Sequence, residues 1–401
     1  MSHMRIAITG VGLVTPLSSQ REQSWQRLLN GESAGRFLNE SEIPSEGIET
    51  SQAWYGAPVE LQRPNANLTR TSAFALLAAR QAISHAAIPK EFLHEMACVI
   101  GTSKTDLNSV DRLFHSLKSD PQVSPEVASL FPSQPVTDVA HAIEAEGPVI
   151  APVAACATGL VSIIRAADLL RQGDAVRAIA GSTDSSLHVG LLSSYQRLGV
   201  LAKAKDNPAT ACKPFDEYRC GFIVGEGAGA MVLEVWDEAI SRGVRPVAEW
   251  VDGMIASDPS GLTSVDSSGE TLCELIARLL ERNQVFPQQV SAICYHGTAT
   301  EMNDLTEARA IAKLFPHKPL GFGVKGSIGH LMGAAGSVET AFSALALRDQ
   351  VIPPTVNHVH HDANCPNAVN GANSIQQPIE YLLKTSLGFG GHIAVGLLKR
   401  V

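Results

Sequence analysis

Apolar and polar positions along the chain fall into two alternating rhythms, one of strand length and one of helical period. Residues 5–17, RIAITGVGLVTPL, form a near-continuous apolar run of the buried-strand kind, predicted to break into a loop at Gly10 and Gly12. A helix is expected over 21–29, and a polar, proline-containing stretch over 38–66. Residues 69–88, TRTSAFALLAARQAISHAAI, read as a helix apolar on most sides. A strand follows at 97–101, after which the periodicity weakens, and 103–136 is expected to be irregular with short helices. Strands are then predicted at 148–155, 176–180 and 227–235, with helices at 158–171 and 187–198 between them. A short helix to 243 leads to a strand at 247–256, where the rhythm restarts. Helices are expected at 269–282, 303–314 and 332–346, and strands at 290–295, 320–324, 381–386 and 393–398.

Strands and helices alternating throughout imply an α/β fold with largely buried, mixed sheets. At roughly 150 residues per domain, 401 residues suggest two or three packing units. A division near residue 245 leaves similar numbers of elements on each side, although no residue-level repeat relates them.

Composition narrows the function. Hydrophobic residues make up 45% and charged residues 18%, which excludes global disorder. The net charge of −9 makes nucleic acid and anionic membranes unfavourable partners. No apolar run approaches the roughly 18 residues that span a bilayer. Seven cysteines, at 98, 156, 212, 220, 273, 294 and 365, contain no CxxC pair, so reduced thiols in the cytoplasm are expected, without disulfides or zinc. Cys98, Cys273 and Cys294 lie in apolar periodic segments and read as core. Residues 1–4 read as a cloning remnant rather than a leader.

Three segments could carry chemistry. Cys156 sits at a strand-to-helix junction, where the positive end of a helix dipole lowers a thiol's pKa and free N–H groups can hold an oxyanion. His296 opens a Gly/Thr loop at a strand's carboxyl end, and His330 lies in a small-residue loop leading into a helix. Each also admits a purely structural reading: a buried core cysteine, or a hydrogen-bonded structural imidazole. Gly10 and Gly12 supply only part of a dinucleotide fingerprint, because Thr15 replaces its third glycine. His358, His360, His361 and Asp362 are dense enough to raise a metal site, but they follow a Pro-Pro pair and read as a solvated loop.

Taken together, ACATG (155–159), HGTATxxND (296–304), KGSIGHLMGAAGSVE (325–339) and GFGG (388–391) resemble the elongating β-ketoacyl-acyl-carrier-protein synthases, condensing enzymes with a Cys-His-His centre. The opening strand and residues 213–229 are similar to that family as well. The resemblance implies the thiolase fold, two similar α/β halves in an α-β-α-β-α arrangement, with the nucleophile in 5–245 and both histidines in 246–401.

It further implies that Cys156 accepts an acyl group from a carrier protein, while His296 and His330 stabilise the enolate formed as malonyl-carrier protein loses carbon dioxide. Lys325 would join them as a catalytic residue, pairing with Glu339 to orient His330. Backbone N–H groups of Cys156 and Phe389 would form the oxyanion hole, with Asn303 and Asp304 supporting the site from behind. Phe389, Thr298, Thr300, Gly388 and His392 would form gate and pocket, and Arg70, Lys203 and Lys205 would dock the carrier. No cofactor or metal is implied. A homodimer is expected, with a heterodimer as the alternative.

The chain departs from the pattern at Cys220, at His392 and over 102–145, a region tied to acyl selection and the dimer contact. Two rival readings are a non-condensing partner subunit like the chain-length factors, and an acyltransferase of the same fold that does not decarboxylate. The intact nucleophile opposes the first, and the histidines with the lysine motif oppose the second.

Overall fold

The computed structural model describes residues 4–43, 52–61, 68–119, 130–204 and 206–401. Its framework is a ten-stranded sheet. The strands are β1 (Ile6–Val14), β2 (Ala97–Gly101), β3 (Val149–Ile150), β4 (Arg177–Ser185), β5 (Glu226–Val235), β6 (Ala248–Ser257), β7 (Val290–Cys294), β8 (Leu320–Phe322), β9 (Tyr381–Gly388) and β10 (His392–Lys399). Their order is β8-β7-β9-β10-β6-β1-β5-β4-β2-β3.

Read outward from the antiparallel β1–β6 contact, the two sides match strand for strand. On one side β1, β5 and β4 run antiparallel, while β2 lies parallel to both β4 and β3. On the other, β6, β10 and β9 run antiparallel, while β7 lies parallel to both β9 and β8. The intervening helices repeat too: α1 (Arg70–His85), α2 (Gln134–Ala142) and α3 (Thr158–Gln172) in the first half, and α4 (Glu270–Arg282), α5 (Glu301–Leu314) and α6 (Ala335–Asp349) in the second.

Helices α1 and α2 cover the outer face of the first strand group, and α4 packs with α5 over the second. Between the groups lie α3 and α6, which touch each other and strands of both sides. The result is the α-β-α-β-α layering expected from the sequence. Every residue of α6 from Ala335 to Leu347 is buried, which is why its sequence lacks an amphipathic stripe. Glycines allow the crossing: a Cβ at Gly159 would stand 2.3 Å from the Ser337 nitrogen, and one at Gly336 would stand 2.5 Å from that of Leu160.

Several local expectations are corrected. β1 runs unbroken through Gly10 and Gly12, with all nine residues buried. These glycines admit α1 rather than end the strand, since Cβ atoms there would lie 2.0 and 1.9 Å from the Ala82 and Ala78 carbonyl oxygens. The strand expected over 148–155 shortens to Val149–Ile150, because the following residues turn to present Cys156. The segment 103–136, expected to be irregular with short helices, holds a longer helix at Leu107–Ser119, and α2 begins only at its end. Cys98, Cys273 and Cys294 are buried in apolar clusters, and all seven cysteines are unpaired. No helix among the described residues is long and apolar enough to cross a membrane.

Candidate active site

Cys156 occupies a one-turn 3-10 segment, Ala155–Ala157, directly before α3. Ala155 takes φ of 46°, a left-handed conformation that side-chain-bearing residues seldom adopt. The Thr158 hydroxyl holds the turn: it accepts the Ala154 N–H at 2.8 Å and donates to the Ala155 carbonyl at 2.7 Å. Against this turn lies the 388–391 loop, where a Cβ on Gly388 would come within 2.9 Å of the Ala154 oxygen and 3.1 Å of the Cys156 nitrogen. That approach brings the Phe389 N–H onto the Cys156 sulfur.

The thiol itself is the opposite of what its helix position predicts. Burial pushes it up to about 11, a rise that Lys325, Lys104 and the Phe389 N–H oppose and Asp184 reinforces. Desolvation of the charged form therefore outweighs the helix terminus.

His296 follows β7. One buried carboxylate fixes its loop: Glu307 accepts the His296 N–H at 2.8 Å and the Gly297 N–H at 2.7 Å, and the Thr385 hydroxyl donates to it at 2.6 Å. His330 is held by its own N–H, which donates to the Ile223 carbonyl at 2.7 Å. The two imidazoles lie 5.3 Å apart, centre to centre, and nearly perpendicular at 80°. Both are 2% exposed, and burial, followed by the Lys325 charge, holds both well below the usual histidine range.

Their tautomers follow from their partners. An ammonium group can only donate, and Lys325 Nζ stands 3.3 Å from His296 Nδ1. His330 Nδ1 accepts the Met332 N–H at 3.2 Å. In each neutral ring the hydrogen therefore sits on Nε2. Lys325 also donates to the His296 carbonyl and pairs with Glu339 Oε1 at 2.5 Å, while Lys384 lies 2.8 Å from Glu339 Oε2. The expectation that the Lys325–Glu339 pair orients His330 is thus corrected, for the ammonium contacts His296.

One cavity of about 610 Å³ joins the pieces: Cys156, His296 and His330 line it together with Thr298, Thr300, Asn303, Gly388 and Phe389. The hydroxyls of Thr298 and Thr300 lie 2.8 Å apart. Lys325 and Glu339 stand behind the wall. Asn303 donates to Asp304 at 3.1 Å and to Glu307 at 2.9 Å, and Asp304 accepts the Phe215 N–H at 2.7 Å while burial pushes its carboxyl up to about 7.

The remaining expectations divide. His392 does not line the cavity; it pairs across the hairpin with Gly388. Arg70 is not free for docking, because its guanidinium is paired with the buried Glu226 carboxylate and donates to the Val59 carbonyl at 2.7 Å. Lys203 is exposed, with its backbone N–H 3.4 Å from the sulfur of Cys220, which lines the cavity. Lys205 lies outside the described residues. The segment around His358 is part packed and part solvated: His358 and Asp362 are buried, with His358 Nδ1 3.1 Å from the Pro214 oxygen and Asp362 paired with Arg219 at 2.6 Å, while His360 and His361 are exposed as expected, His361 Nε2 lying 2.7 Å from the Cys365 oxygen. No cluster of three His, Cys, Asp or Glu suited to a metal occurs among the described residues.

Glu307, Lys384, Lys104 and Asp184 were not anticipated. Two carried a signal: Glu307 stands one helical turn beyond Asn303, and Lys384 interrupts an otherwise apolar strand.

Comparison with known proteins agrees with this geometry. The family described as beta-ketoacyl synthase, N-terminal domain, matches residues 3–239, and its C-terminal domain matches residues 247–359. A 3-oxoacyl-[acyl-carrier-protein] synthase 2 of Mycobacterium leprae is 30% identical over 96% of this chain and 94% of its own. One from Staphylococcus aureus is 29% identical over 99% of both chains. Among solved structures, a beta-ketoacyl synthase from Burkholderia phymatum superposes with a TM-score of 0.91 at 24% identity, over 99% of this chain and 100% of that one. A structure described as the ishigamide ketosynthase/chain length factor gives 0.90 at 26% identity over the full length of both chains. Another match, with a TM-score of 0.90 at 24% identity over both full chains, is described as a type II PKS acyl-carrier protein in complex with its ketosynthase bound to the hexaketide.

Proposed function

Since the chain belongs to the beta-ketoacyl synthase family, we propose that it is a 3-oxoacyl-[acyl-carrier-protein] synthase in which Cys156, His296 and His330 perform a decarboxylating condensation. Cys156 attacks the thioester of an acyl-carrier protein. The acyl–sulfur bond to the carrier breaks as the bond to Cys156 forms, and the cysteine's proton leaves on the carrier thiol. N–H groups of Cys156 and Phe389 hold the oxyanion of the tetrahedral intermediate.

Malonyl-carrier protein then places its thioester oxygen between the imidazoles. As carbon dioxide leaves, the electron pair of the broken bond becomes an enolate, whose charge receives hydrogen bonds from both Nε2–H groups. Neutral donors suit this step, and the depressed pKa values keep both rings neutral. The enolate carbon attacks the acyl-cysteine, giving 3-oxoacyl-carrier protein and expelling Cys156 as a thiolate, which takes up a proton from water to restore the thiol. Lys325 fixes the His296 tautomer, and Glu339 with Lys384 holds Lys325 in place.

The observation that carries this reading is one cavity containing the sulfur and two rings, both tautomers presenting Nε2–H. Intact Cys156 disfavours a non-condensing partner subunit. A division into halves near residue 245 is supported by the matching strand orders. Exposed Val149, Ile150 and Val153 at the β3 edge support pairing with a second copy, and the unpaired cysteines support a cytoplasmic location.

Two variants test the chemistry. Cys156→Ala should form no acyl adduct by intact-mass spectrometry. His330→Ala should still acylate but release carbon dioxide from malonyl-carrier protein roughly 100-fold more slowly or worse. Condensation retained in either variant would contradict the assignment.

A further inference from the structure

The cavity walls divide by origin. His296, Thr298 and Thr300 follow β7 and face the decarboxylating partner; Ser103, Lys104 and Tyr195 follow β2 and β4. With the first side occupied by the malonyl thioester, the chain carried by Cys156 is left the second.

That second side carries the apolar residues Leu198, Val200 and Phe222 together with one charged network. Lys104 Nζ donates to Asp184 Oδ1 at 2.6 Å, to Ser186 Oγ at 2.5 Å and to Ser103 Oγ at 3.1 Å, so all three of its hydrogens are used. Asp184, whose side chain is fully buried, also accepts the Ser186 hydroxyl at 2.6 Å, the Gly333 N–H at 3.1 Å and the Ser103 hydroxyl. The Tyr195 hydroxyl hydrogen-bonds Ser186. Both charges lie close enough to Cys156 to act on its thiol. With every donor and acceptor of the pair engaged, neither charge is left to grip a charged acyl terminus.

We propose that Lys104, which lines the cavity and is held by Ser103 and by Asp184 and Ser186 behind the lining, closes the acyl side and restricts the group loaded on Cys156 to short acyl chains. This rests on the condensing function proposed above and names its electrophilic substrate class. A methylene entering an apolar channel gains roughly fourfold in affinity. Against Lys104 it gains nothing and must displace a part-buried ion pair.

The test measures the rate of Cys156 acylation by intact mass, using acetyl, butyryl, octanoyl and dodecanoyl N-acetylcysteamine thioesters. Butyryl should load roughly tenfold or more faster than octanoyl. In the paired variant Lys104→Met/Asp184→Asn, which removes both charges together, the octanoyl-to-butyryl ratio should rise by about tenfold. A network that merely braces the Gly333 loop would slow all four thioesters alike and leave the ratio unchanged, which overturns the proposal. Equal loading of all chains by the unaltered protein overturns it as well, whether or not the variant folds. If no thioester acylates Cys156, the condensing function itself fails, a different result from a flat chain-length profile.

Discussion

Cys156 shows how position and environment compete at a single atom. The 388–391 loop points the Phe389 N–H at the sulfur, yet the enclosure that makes it effective strips water from the thiolate. Alkylation of Cys156 by iodoacetamide should therefore rise about 100-fold between pH 7 and pH 9, following the thiolate fraction, and a plateau near neutrality would contradict this. The imidazoles respond to acid in the other sense. Their folded values lie below the ordinary one, so between pH 7 and pH 6 both rings stay neutral in the native site. Decarboxylation should hold across that interval, while unfolding free energy, measured in urea at each pH, declines as the unfolded histidines take up protons. Lys325→Met should cost about 3 kcal/mol in the same assay, the low end for a broken buried pair, because Lys384 still faces Glu339.

At the scale of elements, glycine was the residue most easily misread. Gly10 and Gly12 look like punctuation in sequence, but in space they are the surface on which α1 lies. Gly12→Ala should accordingly destabilise the protein by about 3 kcal/mol, read as a lowered urea midpoint, because the new methyl would strike a backbone oxygen that a rotamer change cannot move. Most elements were legible because buried strands and helices differ in length and period, and the motif loops named three residues, Cys156, His296 and His330, that line one cavity. Leu107–Ser119 is longer than the short helices expected there although Leu107, Val110, Leu113, Phe114 and Leu117 recur at helical spacing, since its polar residues dilute the signal. Glu307 and Lys384 carried a signal in sequence but no role, because a buried charge is assigned one only beside its partners, and those of these two come from other elements.

Across the whole molecule, the matching strand orders explain how one chain presents a sulfur from one side and two imidazoles from the other to a common space. The β3 edge is where the first side remains open. The pairing with a second copy proposed for this edge predicts that Val153→Asp sediments as a monomer where the unaltered protein sediments as a dimer, since a charge there cannot be buried against a second copy. The crossing of α3 and α6 binds the two sides more tightly than any surface contact could. Gly159 lies just past the nucleophile and Gly336 just past the second imidazole turn, and each is pressed against the other's helix with no room for one added methyl. Catalytic spacing is thus set at the seam that joins the sides, so heat cannot melt one and spare the other: a calorimetric trace should show a single peak, and activity should vanish with it.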